Sequence, residues 1–278
     1  MEFVDFASLR RGPALDLVFP GWRPGERVAF YAPHDDDAAL GAGYLIQAVA
    51  AQSGRPFVVI FCKGDAGYST AEEKATIVAA RKKEAAAAYK ILGVGKGDIK
   101  RFEVPDFGLM AEVGRGGGGG GVFDALVAFL RENAISRIAF TSGSFEHWDH
   151  TAAFFQALYT SPQAGDPILA DLGAPSPIRS YLAYSVWSDF EPAPGRGLHA
   201  LRADKGVLAD AGHEDAVMRA LAAFKSQGRI MQQTVAAARA RRRIGGRYLE
   251  IYQTVILRRP IDYRPYAAAL ANCRRSAT

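Results

Sequence analysis

Apolar and polar residues follow two rhythms over the first 141 positions, and the rhythms alternate. Short β-branched and aromatic runs stand at Arg27-Val-Ala-Phe-Tyr-Ala-Pro33 and Pro56-Phe-Val-Val-Ile-Phe-Cys62. The second is nearly continuous, as a strand buried on both faces requires. Between them Leu40–Ser53 is Ala-rich and predicts a helix that Gly54 stops. Ser69 or Thr70 can cap a further helix, because Glu72 and Glu73 each stand three residues on, the spacing of a capping box. That helix runs to Leu92, with Gly93 as its stop. Ile99–Val104 predicts a third strand, Val122–Asn133 a helix and Arg137–Thr141 a fourth strand. Beyond residue 160 the rhythm weakens to a strand near Ile178–Trp187, a helix near Glu214–Lys225 and a strand near Arg247–Leu257. No repeat or boundary divides the chain, so residues 1–278 are expected to form one domain. Its core would be 26–160, with 161–278 completing the sheet and the pocket.

Alternating strands and helices predict an α/β fold, a Rossmann-like three-layer arrangement with a mainly parallel sheet and right-handed crossovers. In such sheets ligands gather beyond the carboxyl ends of the strands. The residues after Ala32, Cys62, Val104 and Thr141 are therefore the places for chemistry.

Composition removes several classes. With 49% hydrophobic and 23% charged residues, the chain is not a disordered polymer. No apolar run approaches the ~20 residues of a membrane span. The opening MEFVDFASLRRGPALDLVF lacks a basic stretch followed by an apolar core, so no signal peptide is expected. Cys62 and Cys273 are the only cysteines and are far apart, which fits neither a disulfide framework nor a Cys-based zinc site. A reducing cytoplasm is the expected setting. The net charge of +5 is uneven: from Met231 onward ten arginines face only Glu250 and Asp262. The cluster Arg239-Ala-Arg241-Arg-Arg243 comes without a nucleic-acid motif and is expected to be a solvated helix face. Gly116–Gly121 follows no strand and has the wrong spacing for a dinucleotide fingerprint, so it is expected to be a loop tip.

The chemistry concentrates after the first and fourth strands. Pro33-His34-Asp35-Asp36-Asp37 follows the first. Three adjacent carboxylates repel one another, and a divalent ion resolves that conflict. Phe145-Glu-His147-Trp-Asp149-His150 follows the fourth. One His and one Asp from the first loop, with one His from the second, make three ligands and leave a position open, the pattern of a catalytic zinc.

These residues resemble the LmbE-like, or PIG-L, family of zinc-dependent N-deacetylases. The family's His-Pro-Asp-Asp with a following Leu-Gly is matched by His34-Asp35-Asp36-Asp37-Ala-Ala-Leu40-Gly41, and its His-x-Asp-His by His147-Trp148-Asp149-His150. Gly64-Asp65, Arg81-Lys-Lys-Glu84, Leu92-Gly93-Val94 and Pro105-Asp106 match further elements in order. The resemblance covers roughly residues 26–160, and Lys225-Ser226-Gln227 and Glu250 are compatible with weaker later features.

The resemblance implies one zinc ion on His34, Asp37 and His150, with other divalent metals able to substitute. It implies Asp36 as general base, and His147 as oxyanion partner, oriented and charged by Asp149. It places Arg81 and Asp106 against an N-acetylglucosamine-type substrate. The reaction would be removal of an acetyl group from the amide nitrogen, with metal-activated water as nucleophile. Either Asp36 or His147 would protonate the amine.

Two positions depart from the family. Asp35 replaces its Pro and is expected to face solvent or cap the helix, so that Asp35→Pro would change little; Tyr44 stands where a second Gly is common. The alternative is a flavodoxin- or receiver-like module that binds magnesium for phosphoryl transfer, against which the paired histidines speak. His199 and His213 are expected at the surface or at helix ends. Trp148 is expected to stack on a sugar or pack its loop, Trp187 to pack in the core or at its rim, and Cys62 to be buried.

Overall fold

The two rhythms become one sheet with helices on both faces in the computed structural model, which describes residues 1–116, 119–143, 146–190 and 201–273. The strands are β1 (Glu2–Asp5), β2 (Arg10–Gly12), β3 (Arg27–Ala32), β4 (Arg55–Cys62), β5 (Ile99–Val104), β6 (Arg137–Thr141), β7 (Ser180–Tyr184), β8 (Lys205–Ala209), β9 (Arg243–Ile244) and β10 (Arg247–Thr254). The helices are α1 (Asp37–Ala51), α2 (Ile77–Ile91), α3 (Gly121–Glu132), α4 (Trp148–Phe155), α5 (Ala211–Ala222), α6 (Gly228–Arg242) and α7 (Arg264–Ala271).

The strand order is β2-β1-β8-β10-β7-β6-β3-β4-β5, with β9 on β10. The half from β7 to β5 is parallel. From β10 to β2 the strands pair antiparallel. Side chains alternate across the sheet as the two-residue strand period demands. Val28, Phe30 and Ala32 of β3 join the core under α1, α2 and α5, whereas Ala29 and Tyr31 join the core under α3 and α4. Both faces of the central strands are covered, which is why β3, β4 and β6 read as apolar runs. The chain runs from β3 outward to β4 and β5, then returns to place β6 on the other side of β3. The crevice opened by that reversal lies at the carboxyl ends of β3 and β6.

Several boundaries differ from the sequence reading. The capping box is present, but Thr70 and Glu73 close only a short 3-10 turn, Ala71–Ala75, and α2 begins at Ile77. Its buried positions Ile77, Arg81, Ala85, Ala88 and Tyr89 make a helical stripe. Gly93 is the stop, at φ 95°, where the Val94 N–H donates to the Tyr89 carbonyl at 2.9 Å. The run from Ile178 to Trp187 is strand only as far as Tyr184. The glycine run leads into α3, with residues 117 and 118 outside the described residues. No helix among the described residues is long and apolar enough to cross a membrane.

Helix α1 breaks at Ala42 (φ −140°, ψ 23°), and the C-terminal part of the chain holds the break. Arg242 donates to the Leu40 carbonyl at 3.0 Å, and the Glu250 carboxylate accepts the Tyr44 N–H at 2.9 Å. Gly41 lies so close to the chain after β7 that a Cβ there would be 2.8 Å from the Ser185 carbonyl. Arg242 is turned inward between Glu214 and Glu250. The expected solvated arginine face therefore excludes it, because two buried carboxylates need a cation. Arg241 and Arg243 remain exposed.

Burial pushes the Glu250 carboxyl up to about 7 from 4.5, against the pull of Arg242 and the Tyr252 and Tyr44 donors. A carboxyl whose folded value is raised binds more protons folded than unfolded between those pH values. Stability from this group is therefore present below about pH 4.5 and falls as pH rises to about 7. Glu250→Gln is expected to gain on the parent over that range, by a change on the order of 3 kcal/mol. Urea unfolding of both chains at pH 5 and pH 8 checks this, and a difference independent of pH would refute it.

Candidate functional site

Asp36 is the last residue before α1 and Asp37 its first. His147 caps α4, with Asp149 and His150 in the first turn. Since β3 and β6 are neighbours, these loops meet although more than a hundred residues separate them. Asp37 Oδ2 lies 3.3 Å from His34 Nδ1 and 3.2 Å from His150 Nε2. Two ligands about 2.0–2.1 Å from a tetrahedral ion stand roughly 3.3 Å apart, so these separations suit a shared ion. The buried His150 Nε2 has no hydrogen-bond partner among the described residues, and ligand atoms of all three residues lie within 4.8 Å of one another. Donor set, spacing and orphaned nitrogen fit a divalent metal.

Two other trios, His34–Cys62–Asp106 and His34–His147–Asp149, share His34 and compete for that imidazole rather than adding a site. Cys62 is fully buried, and burial pushes its thiol well up, so it is an inert ligand candidate. Burial opposes charge on His34, yet Asp149 and Asp37 outweigh it and hold the ring up at about 10. Asp37 and Glu146 do the same for His150, at about 9. The surrounding acids thus demand positive charge here, and a metal ion held by these residues would supply it in place of protons.

Asp36 lines the cavity beside this trio, and burial raises its carboxyl although Arg81 opposes the shift. His147 also lines the cavity. Its Nδ1 accepts the Asp149 N–H at 3.1 Å, which leaves the ring proton on Nε2. Burial, then His34 and His150, hold His147 below its ordinary value. Asp149 Oδ2 is 3.8 Å from His147 Nδ1 but 3.3 Å from His34 Nε2, and its carboxylate also accepts the Phe107 and Leu109 N–H groups. Asp149 still favours charge on His147, but burial and the two neighbouring imidazoles outweigh it, and its closer partner is His34. Asp149 steadies His34 and the loop after β5, because that loop's N–H groups and the His34 ring surround it.

Asp35 corrects the expectation of a solvated residue. It is fully buried, 3.0 Å from Arg81 Nε and in close contact with Arg101 Nη1, and its carbonyl accepts the Tyr89 hydroxyl at 2.7 Å. The loop lies against α2 and β5, and these supply the two arginines. Arg81 Nη2 stands 3.4 Å from Asp36 Oδ1, so this guanidinium serves both acids while lining the cavity. Asp35→Pro would leave Arg81 and Arg101 short of a buried counter-charge, and removal of one partner of such a pair costs about 3–5 kcal/mol. The expected urea midpoint falls accordingly; a loss under about 1 kcal/mol would contradict a structural role.

Asp106 clasps two loops. Its carboxylate accepts from the Gly64 and Ala66 N–H groups at 2.8 and 2.9 Å, and its own N–H donates to Asp65. The cavity, about 210 Å³, is bounded by Phe107 and Trp187 on either side of His147, with Gln227, Ile230, Met231 and Thr234 opposite. The Trp187 ring lies 4.8 Å from that of His150, and the Phe107 ring 4.7 Å from that of His147. Trp187, expected to pack in the core or at its rim, is half-exposed and forms a cavity wall, because β7 ends three residues earlier. Trp148 is exposed and does not line the cavity. Gln227 donates to the Gly67 carbonyl, and Ser226 to Glu84, which docks the start of α6 on this site. His213 sits at the start of α5 beside its cap Asp210, as expected. His199 and Phe145 lie outside the described residues. A larger cavity of about 690 Å³ between α5 and α6 is mostly apolar and is lined by none of the metal-binding trios found among the described residues, so chemistry points to the smaller one.

Sequence reasoning missed Glu146, Phe107 and Trp187. For Glu146 a signal existed, since it stands four residues before His150 at the mouth of a helix; the two aromatics carry none.

Residues 29–159 match the family described as GlcNAc-PI de-N-acetylase, PIG-L. No protein with a curated description matches the chain. Among solved structures, a conserved protein from Thermus thermophilus is 23% identical, with a TM-score of 0.63 over 86% of this chain and 97% of that one. An N,N'-diacetylchitobiose deacetylase from Pyrococcus horikoshii is 18% identical, with a TM-score of 0.65 over 83% and 84%. A 4-carboxy-2-hydroxymuconate hydratase from Pseudomonas putida is 19% identical, with a TM-score of 0.55 over 85% and 99%. At these identities the likeness is one of fold, and the fold carries more than one chemistry.

Proposed function

From the premise that residues 29–159 belong to the GlcNAc-PI de-N-acetylase (PIG-L) family, we propose that the protein is a metal-dependent N-deacetylase acting on an N-acetylglucosamine-type sugar or conjugate. The observation that carries this reading is the trio His34, Asp37 and His150, which brings three donors together beside a cavity lined by a further acid, Asp36, that belongs to none of the metal-binding trios. Two imidazoles and one carboxylate suit zinc better than magnesium, which prefers oxygen ligands. A zinc ion on these residues would supply Lewis acidity, lowering the pKa of water and polarising the acyl oxygen.

The chain's own residues do the rest. Asp36 takes the proton that the attacking water gives up and returns it to the departing amine, a task suited to a carboxyl raised by burial. Arg81 holds Asp36 in place. His147, neutral with its proton on Nε2, donates to the developing oxyanion rather than facing it as a cation. Phe107 and Trp187 offer apolar faces to the sugar, and Arg81 and Asp106 present polar groups at the cavity wall. The C-terminal part completes the cavity through Gln227 and α6, in keeping with one functional unit over the whole chain. A reducing cytoplasm remains the proposed setting, with both cysteines free.

The test is metal analysis of protein purified without added cations, joined to acetate release from N,N'-diacetylchitobiose and other N-acetylglucosamine conjugates. About one zinc per chain is expected, with release abolished by a chelator and restored by zinc. Weakly held magnesium and no acetate release would instead favour a receiver-like module.

A further inference from the structure

One buried acid at the site has no part in this chemistry. The Glu146 side chain is fully buried, and its two carboxylate oxygens have separate partners. Oε2 lies 2.8 Å from His150 Nδ1. Oε1 accepts the backbone N–H groups of Val186, Trp187 and Ser188 at 2.8, 2.8 and 3.0 Å, and the Ser185 hydroxyl at 2.6 Å. Three successive N–H groups converging on one oxygen bend the chain after β7 around that oxygen. The Trp187 ring, 44% exposed, is too little buried for packing alone to fix it, yet it lies 4.8 Å from the ring of His150. The same carboxylate therefore touches a candidate ligand on one side and the backbone of a cavity wall on the other.

Resting on the reading of His150 as a metal ligand, we propose that Glu146 is a positioning residue that joins the metal site to the aromatic wall of the substrate cavity. On the His150 side it accepts the Nδ1 proton, which fixes the tautomer with Nε2 free and directed at Asp37. Ligating histidines commonly need such a partner to set ring orientation and basicity. On the wall side it holds residues 185–188 so that Trp187 covers the imidazole it has oriented. Only an ionised carboxylate accepts at both ends. A glutamine of the same shape has one accepting oxygen and one amide donor. It can satisfy the backbone N–H groups or the imidazole N–H, but not both.

The experiment uses the full chain, with Trp22 and Trp148 replaced by Phe so that Trp187 is the sole indole. Zinc affinity is measured by competition with a chromophoric chelator, and acrylamide quenching of Trp187 is followed in parallel. Glu146→Gln is expected to weaken zinc binding by about 10- to 100-fold and to raise quenching of Trp187 toward that of an open indole. Zinc affinity within about threefold of the parent would overturn the inference. Weakened zinc with unchanged quenching would overturn it as well, because the two sides would not be joined. Should Glu146→Gln fail to fold, Glu146→Asp reads the same quantities: one methylene shorter, it cannot span both partners, and both losses are expected at smaller size. A parent chain that binds no zinc would refute the metal reading itself, an outcome distinct from any difference between parent and Glu146 variants.

Discussion

His150→Ala is expected to remove bound zinc and acetate release together. His150 supplies the buried Nε2 that has no hydrogen-bond partner among the described residues and lies 3.2 Å from Asp37 Oδ2. Without it, His34 and Asp37 are left as two donors, too few for the three protein ligands a catalytic zinc site uses. Zinc measured after dialysis should fall from about one per chain to near none, and activity should fall with it. Thermal unfolding of the metal-free chains separates this from a loss of fold, since Glu146 would lose its partner on Nδ1. Full zinc occupancy in a folded His150→Ala chain would sink the ligand assignment.

Asp36→Asn should behave in the opposite way, keeping the metal and losing the rate. Asp36 adjoins the ligand Asp37 in sequence but lies in none of the metal-binding trios. The amide preserves size yet cannot take a proton from water. Loss of a general base costs about 10²–10⁴-fold, and the fall should appear in kcat with little change in KM. The reverse pattern, zinc lost in Asp36→Asn and kept in Asp37→Asn, would mean that the ligand and base are one residue out of register.

The fold was legible where strands are buried on both faces and helices pack one stripe. Pro56–Cys62 could be read as a strand because it is apolar throughout, and Arg137–Thr141 because Ile138, Ala139 and Phe140 make an unbroken apolar run inside it. The antiparallel half was legible only in β10, expected near Arg247–Leu257 and found at Arg247–Thr254, although one of its buried alternate positions is the carboxylate Glu250. β1 and β8 are short and were not legible. α4 escaped because it is a single short helix inside a polar motif. α6 was legible only as an arginine-bearing face, and the structure turns Arg242 of that face onto Glu214 and Glu250 while Arg241 stays exposed.

The site divides along the same line. Local spacing determined which residue types follow β3 and β6, and hence that His34, Asp36, Asp37, His147, Asp149 and His150 are the residues on which the proposed chemistry rests. Such spacing is a property of the chain, because consecutive residues in a tight loop and a first helical turn cannot be far apart. Which of these groups face one another was decided only by the tertiary structure. Asp35 is drawn inward by Arg81 and Arg101, the Asp149 carboxylate lies closer to His34 than to His147, and Trp187 is brought over His150 by Glu146. Each of these pairings joins residues from different elements. A buried charge takes whatever counter-charge the packing delivers, and that choice is written in the order of the strands, not in the neighbourhood of any one residue.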